Sequence, residues 1–66
     1  MNLTVNGEPH IHRGDGSIPA LLDELGAHAA HTALMLNGSV VPSAEWERTV
    51  LSENDAVEML VFVGGG

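Results

Sequence analysis

The chain has 66 residues, 44% of them hydrophobic, with nine acidic side chains against two arginines and no lysine, for a formal charge of −7. A chain this short buries only about 60% of the surface it exposes when unfolded, so one small domain is expected and a large internal active-site cleft is not. The charge argues against nucleic acid and anionic membrane surfaces as partners and favours a basic protein surface. The absence of cysteine excludes disulfides, thiolate metal sites and thiol catalysis by this chain.

Met1 to Asn6 lacks the basic start and apolar run of a signal peptide. The longest apolar stretch, Met59 to Val63, is far short of the about 20 residues a membrane span needs. The default is a soluble, cytoplasmic protein.

Asn2 to Asn6 reads as a strand, with Leu3 and Val5 on one face and Thr4 on the other. Asn6-Gly7 is a hairpin-turn pair, because a type I′ turn needs positive φ at both central positions. A second strand is expected around His10 to Arg13, with Ile11 pointing inward and His10 and His12 outward. Pro9 suits a strand start beside the turn. Asp15-Gly16-Ser17 breaks the pattern, and Ser17 is a natural N-cap. Pro19 falls in the first turn, where its missing N–H costs nothing. Ile18, Leu21, Leu22 and Leu25 then form one apolar helical stripe, with Asp23 and Glu24 off it and Gly26 as the C-cap.

Ala27 to His31 reads as a loop or an extra turn. Ala33 to Asn37 is a third strand stopped by Asn37-Gly38, and Val40-Val41 a very short fourth ended by Pro42. Ser43 to Trp46 predicts one helical or 3₁₀ turn that carries Trp46 to the core edge. Ser52 to Asp55 is a turn, and Ala56 to Val63 the last and longest strand. The order β-β-α-β-β-β is α+β, with one main helix on one face of a mixed sheet. It fits the ubiquitin-like β-grasp, whose first and last strands lie parallel at the sheet centre, in keeping with the right-handed crossover preference. The expected organisation is a single domain over residues 1–63 and a flexible tail over 64–66.

The chemistry is expected at that tail. Gly64, Gly65 and Gly66 follow directly on the last strand. Ordering each glycine costs about 1–2 kcal/mol and packs no side chain, so these residues add almost nothing to fold stability. A peptide without side chains that ends in a carboxylate suits a narrow channel, where it can deliver the Gly66 carboxylate to another enzyme's active site. ATP can activate such a carboxylate as an acyl-adenylate, which a sulfur or nitrogen nucleophile then attacks.

Essentially the whole chain resembles the ThiS family of sulfur carriers of thiamine thiazole biosynthesis. The matching residues are Leu3-Thr4-Val5-Asn6-Gly7, the Ile18-to-Leu25 helix with its Leu-Leu pair, and Val41-Pro42-Ser43-Ala44-Glu45-Trp46. Asn54-Asp55 stands where the family usually has Gly-Asp. The ending Val61-Phe62-Val63-Gly64-Gly65-Gly66 is the most specific match. The resemblance implies a protein co-substrate, not an enzyme. It implies that an E1-like (ThiF-type) adenylyltransferase adenylates Gly66 with ATP and Mg that the partner consumes, so that no cofactor is bound stably. A persulfide supplied through a cysteine desulfurase relay then yields a thiocarboxylate, and a ThiG-type thiazole synthase receives the sulfur. Carriers for molybdopterin or amino-acid biosynthesis and ubiquitin-like modifiers share the same terminus and remain alternatives.

Alternation along the last strand places Glu58, Leu60 and Phe62 on one face and Val57, Met59, Val61 and Val63 toward the helix. Leu60 and Phe62, beside Val63 and the tail, would then form an apolar docking patch. β-Grasp carriers dock their activating enzymes with a comparable patch, by resemblance. A different class of function, histidine-based metal binding, draws on His10, His12, His28 and His31. No carboxylate or cysteine spacing completes such a site, and the histidines read as solvent-exposed. Asp15 and Asp55 read as turn residues.

Overall fold

The computed structural model describes residues 1–62. Its elements are β1 (Asn2–Val5), β2 (Glu8–Ile11), α1 (Ile18–Leu25), a 3₁₀ turn (Ala29–His31), β3 (Thr32–Leu36), β4 (Ser39–Val40), a second 3₁₀ turn (Ser43–Arg48) and β5 (Ala56–Val61). The five strands form one sheet in the order β2-β1-β5-β3-β4. β1 and β5 run parallel and every other neighbouring pair antiparallel. This is the α+β arrangement that the residue pattern predicts. The expectations that fall on Val63 and on Gly64, Gly65 and Gly66 lie outside the described residues.

Both hairpins turn on an Asn-Gly pair in the left-handed region. Asn6 and Gly7 have φ of 51° and 82°, and Asn37 and Gly38 have 50° and 85°. Such turns match the right-handed twist of the strands they join. α1 starts where Ser17 Oγ accepts the Ala20 amide at 3.3 Å. It ends at Gly26 with φ 67°. There the Gly26 amide donates to Asp23 O and the Ala27 amide to Leu22 O, which satisfies two of the last carbonyls in a Schellman motif.

Ile18, Leu21 and Leu22 of α1 are buried against Leu3, Leu34 and Val57 of the sheet, with Leu51 and Trp46 closing the core. Each such side chain contributes about 1.5–3 kcal/mol by leaving water. Trp46 lies deeper than the core edge, because the second 3₁₀ turn packs against α1. Its indole N–H donates to Val41 O at 2.9 Å, so burial leaves no polar group unpaired.

Two expectations are corrected. β2 begins at Glu8, and its faces are the reverse of those read from the sequence: His12, just past its end, is 3% exposed and Ile11 is 55% exposed. The cause is register. A two-residue turn sets Leu3 opposite His10 and Asn2 opposite Ile11. Directly opposed residues share a face, so the core-facing Leu3 takes His10, and by alternation His12, to the helix side. The second correction concerns Val61. It alternates with buried Val57 yet is 56% exposed, because β1 pairs with β5 only as far as Val57 and, among the described residues, no strand flanks β5 beyond it on that side.

Candidate functional site

β5 is the element that would carry a reactive end. It lies at the sheet centre, paired with β3 from Val57 through Val61, and the Phe62 amide adds one more bond to His31 O at 2.7 Å. Two asparagines hold it at either end of its pairing. Asn37 Oδ1 accepts the Ala56 amide at 2.8 Å while its Nδ2 donates to Asp55 Oδ1 at 3.0 Å. Asn6 is the last rung on the β1 side. Its amide donates to Val57 O at 2.8 Å, and its side-chain Oδ1 accepts the Met59 amide at 2.7 Å. Sequence reading used Asn6 only as a turn residue. The turn itself is what aims the side chain at β5.

On the sheet face away from α1, Glu58 stands opposite Met35 and Leu60 opposite Ala33, and Met35 stands opposite Val40. Leu60 is 69% and Phe62 58% exposed, and Glu58 is also exposed. Leu60 and Phe62 therefore form an exposed apolar patch, with Glu58 at its near end. A shallow groove lined by Ala33, Met35, Val40, Met59 and Leu60, and by the polar Asn6 and Glu58, runs alongside. Val63, the remaining member of the expected set, lies outside the described residues, as do Gly64, Gly65 and Gly66.

His28 and His31 are exposed as expected, whereas His10 is half-buried and His12 buried, and these two serve a different purpose. His10 Nε2 and His12 Nδ1 both donate to Glu24 Oε1, at 2.9 and 2.7 Å, and the Arg13 amide donates to Glu24 Oε2 at 2.6 Å. The Gly16 amide donates to His12 Nε2 at 2.9 Å. That fixes the tautomer: an acceptor Nε2 leaves the ring proton on Nδ1. Gly14 makes room for the ring, since a Cβ there would lie 2.8 Å from His12 Cε1. Burial pushes the Glu24 carboxyl upward, but hydrogen bonds from His10, His12 and the Arg13 amide outweigh it and hold the pKa at about 2.

His28 and His31 form a separate pair, with ring centroids 6.0 Å apart. Among the described residues no group of three or more histidine or acidic side chains is arranged to hold a metal ion. Asp15 and Asp55 are turn residues as expected. Asp15 Oδ1 accepts the Ser17 amide and hydroxyl at 3.0 and 2.6 Å, and Asp55 Oδ2 accepts the Ser52 amide at 2.8 Å. The Ser17 hydroxyl, foremost, holds the Asp15 carboxyl below its usual range. Among the described residues no helix is long and apolar enough to cross a membrane.

The sequence profile of the ThiS family matches residues 3–66, from β1 onward. The chain belongs to the ThiS family. The crystal structure of the thiamine biosynthesis protein ThiS from Geobacter metallireducens superposes with a TM-score of 0.81 at 40% identity, over 100% of both chains. That likeness extends from the sheet order to the single main helix, so this ThiS-family chain has the β-grasp fold. Its whole length is also similar to part of two proteins named thiazole synthase, from Paramagnetospirillum magneticum (32% identity) and Magnetococcus marinus (35% identity). The chain spans 20% of the length of each of these relatives.

Proposed function

We propose that this ThiS-family chain is the sulfur carrier for formation of the thiamine thiazole, acting as a co-substrate and not as an enzyme. The observation that carries the reading is the apolar end of β5. In this family member Leu60 and Phe62 stand exposed, and only Val63 separates Phe62 from Gly64-Gly65-Gly66. The patch is the docking grip, with Glu58 and Val63 at its borders, and the tail carries the reacting group.

The chemistry proceeds in the active sites of other proteins. In an E1-like adenylyltransferase, a carboxylate oxygen of Gly66 attacks the α-phosphorus of Mg-ATP and pyrophosphate leaves. The terminal sulfur of a persulfide, charged by a cysteine desulfurase relay, attacks the acyl carbon and AMP leaves. A second thiol reduces the resulting acyl disulfide, releasing the thiocarboxylate. Thiazole synthase then takes the sulfur. Gly64 and Gly65 let the backbone approach channel walls that any side chain would meet. The −7 charge steers the carrier toward a basic partner surface. ATP-dependent activation sets the cytoplasm as the compartment. The two thiazole synthases that contain a region similar to this chain support the last partnership, since joining donor and acceptor raises their effective concentration.

Intact-mass analysis after incubation with the adenylyltransferase, Mg-ATP and a persulfide donor tests the reading. The expected result is the mass increment of one oxygen-to-sulfur exchange at Gly66, absent from a chain lacking Gly65 and Gly66. An unchanged mass in the intact chain overturns it.

A further inference from the structure

We infer that the edge of β5 between Met59 and Phe62 is a strand-addition site, occupied by an extended segment of thiazole synthase; the inference rests on the carrier reading above. In the antiparallel ladder with β3, the residues of β5 that bond to β3 are the even-numbered ones. The Phe62 amide reaches His31 O, and Ala56 O accepts the Asn37 amide. The odd-numbered residues therefore turn their backbone groups toward β1. Val57 O is met by the Asn6 amide and the Met59 amide by Asn6 Oδ1. There β1 has ended, since its pairing stops at Val57. Met59 C=O and the N–H of Val61 face the same side with no partner among the described residues.

Side chains point to the same conclusion. Docking on the open sheet face alone accounts for Leu60 and Phe62, but not for Val61, which alternates to the other side and is still exposed. Natural sheets blunt an open edge with charge, proline or a bulge. Met59-Leu60-Val61-Phe62 has none of these. A strand laid beside β5 covers Val61 and Leu60 together and satisfies both backbone groups.

The occupant follows from two facts. An edge that offers alternating backbone acceptor and donor is complemented by an extended backbone. A second copy of this chain is opposed by a charge of −7 on each, whereas two thiazole synthases contain a region similar to this chain within one polypeptide. That arrangement keeps edge and acceptor enzyme together.

Amide exchange measured by NMR on the full chain, alone and saturated with purified thiazole synthase of the same organism, tests the inference. In the isolated chain Leu60 and Phe62 are protected by β3 and Val61 exchanges fast. In the complex Val61 slows by about tenfold or more, as a bonded edge amide does. Val61→Pro removes that N–H without touching the β3 ladder, because edge strands tolerate proline. It weakens binding about tenfold, the loss of one to two backbone bonds.

Val61 protected already in the isolated chain, Val61 still fast in the complex, wild-type affinity of Val61→Pro, concentration-dependent self-association through this edge, or no complex with thiazole synthase would each overturn the inference. Should Val61→Pro fail to fold, the exchange measurement on the unaltered chain decides. Thiocarboxylate formation at Gly66 reports on the carrier reading separately. An intact chain that acquires sulfur but shows any of those outcomes leaves the carrier reading standing and removes only the edge.

Discussion

His12 Nδ1 donates to Glu24 Oε1 at 2.7 Å, and this bond ties the end of the first hairpin to the last turn of α1. The His12 side chain is fully buried, and its other ring nitrogen takes the Gly16 amide. One imidazole thus holds a strand end, a helix and the loop between them.

Replacing His12 with Phe keeps the ring volume and removes both bonds. The Gly16 amide is then buried without an acceptor, which costs about 1–3 kcal/mol. Urea unfolding of His12→Phe should show the midpoint lowered with the slope unchanged. A midpoint equal to wild type would show that the loop finds another acceptor.

Glu24 gives the fold an acid sensitivity of known sign. Its pKa is about 2 in the folded chain against an ordinary 4.5, so below about pH 4.5 the unfolded chain binds the proton first. Stability supplied by this carboxylate is complete above that value and is lost as pH falls toward about 2. Glu24→Gln should lower stability at neutral pH, and its stability curve should converge with the wild-type curve across that window. Parallel curves measured by thermal denaturation from pH 7 to 2 would refute the assignment.

Asn6 contributes twice, by its φ of 51° and by its bond to the Met59 amide. Asn6→Gly keeps the turn and loses the bond, whereas Asn6→Ala loses both. The glycine variant should be destabilised by about 1 kcal/mol, and the alanine variant by about 1 kcal/mol more from the strained left-handed backbone. Faster exchange of the Met59 amide in both is the local signature.

Leu60→Asp tests the patch. Leu60 is 69% exposed, so the fold should survive with a thermal midpoint close to wild type. Affinity for the activating enzyme or thiazole synthase should fall by more than about tenfold, as for an apolar anchor at an interface. Loss of the folded state would show that Leu60 packs.

The helix was legible because three independent signals agree on it: the Ser17 cap, the Ile18-Leu21-Leu22 stripe and Gly26. The second strand was misread because alternation was anchored on Ile11 as an inward residue. Counting across the Asn6-Gly7 turn from Leu3 would have set His10 inward. Val61 illustrates a different limit. Period two tells which side a residue takes, but not whether a neighbour covers that side, and the shortness of β1 leaves it bare. The Glu24 cluster had no sequence signal, since Glu24 lies twelve positions along the chain from His12, across a loop.

Among the described residues, the strand at the centre of the sheet is also the last in chain order. During synthesis the β1–β2 hairpin and the β3–β4 hairpin emerge without the partner that both pair with, and isolated hairpins are at best marginally stable in water. The sheet closes only once Ala56 to Val61 leave the ribosome. The exposed pair Leu60 and Phe62 thus stands at the end of the strand that joins the two hairpins, so the apolar patch and the closed sheet form in one step.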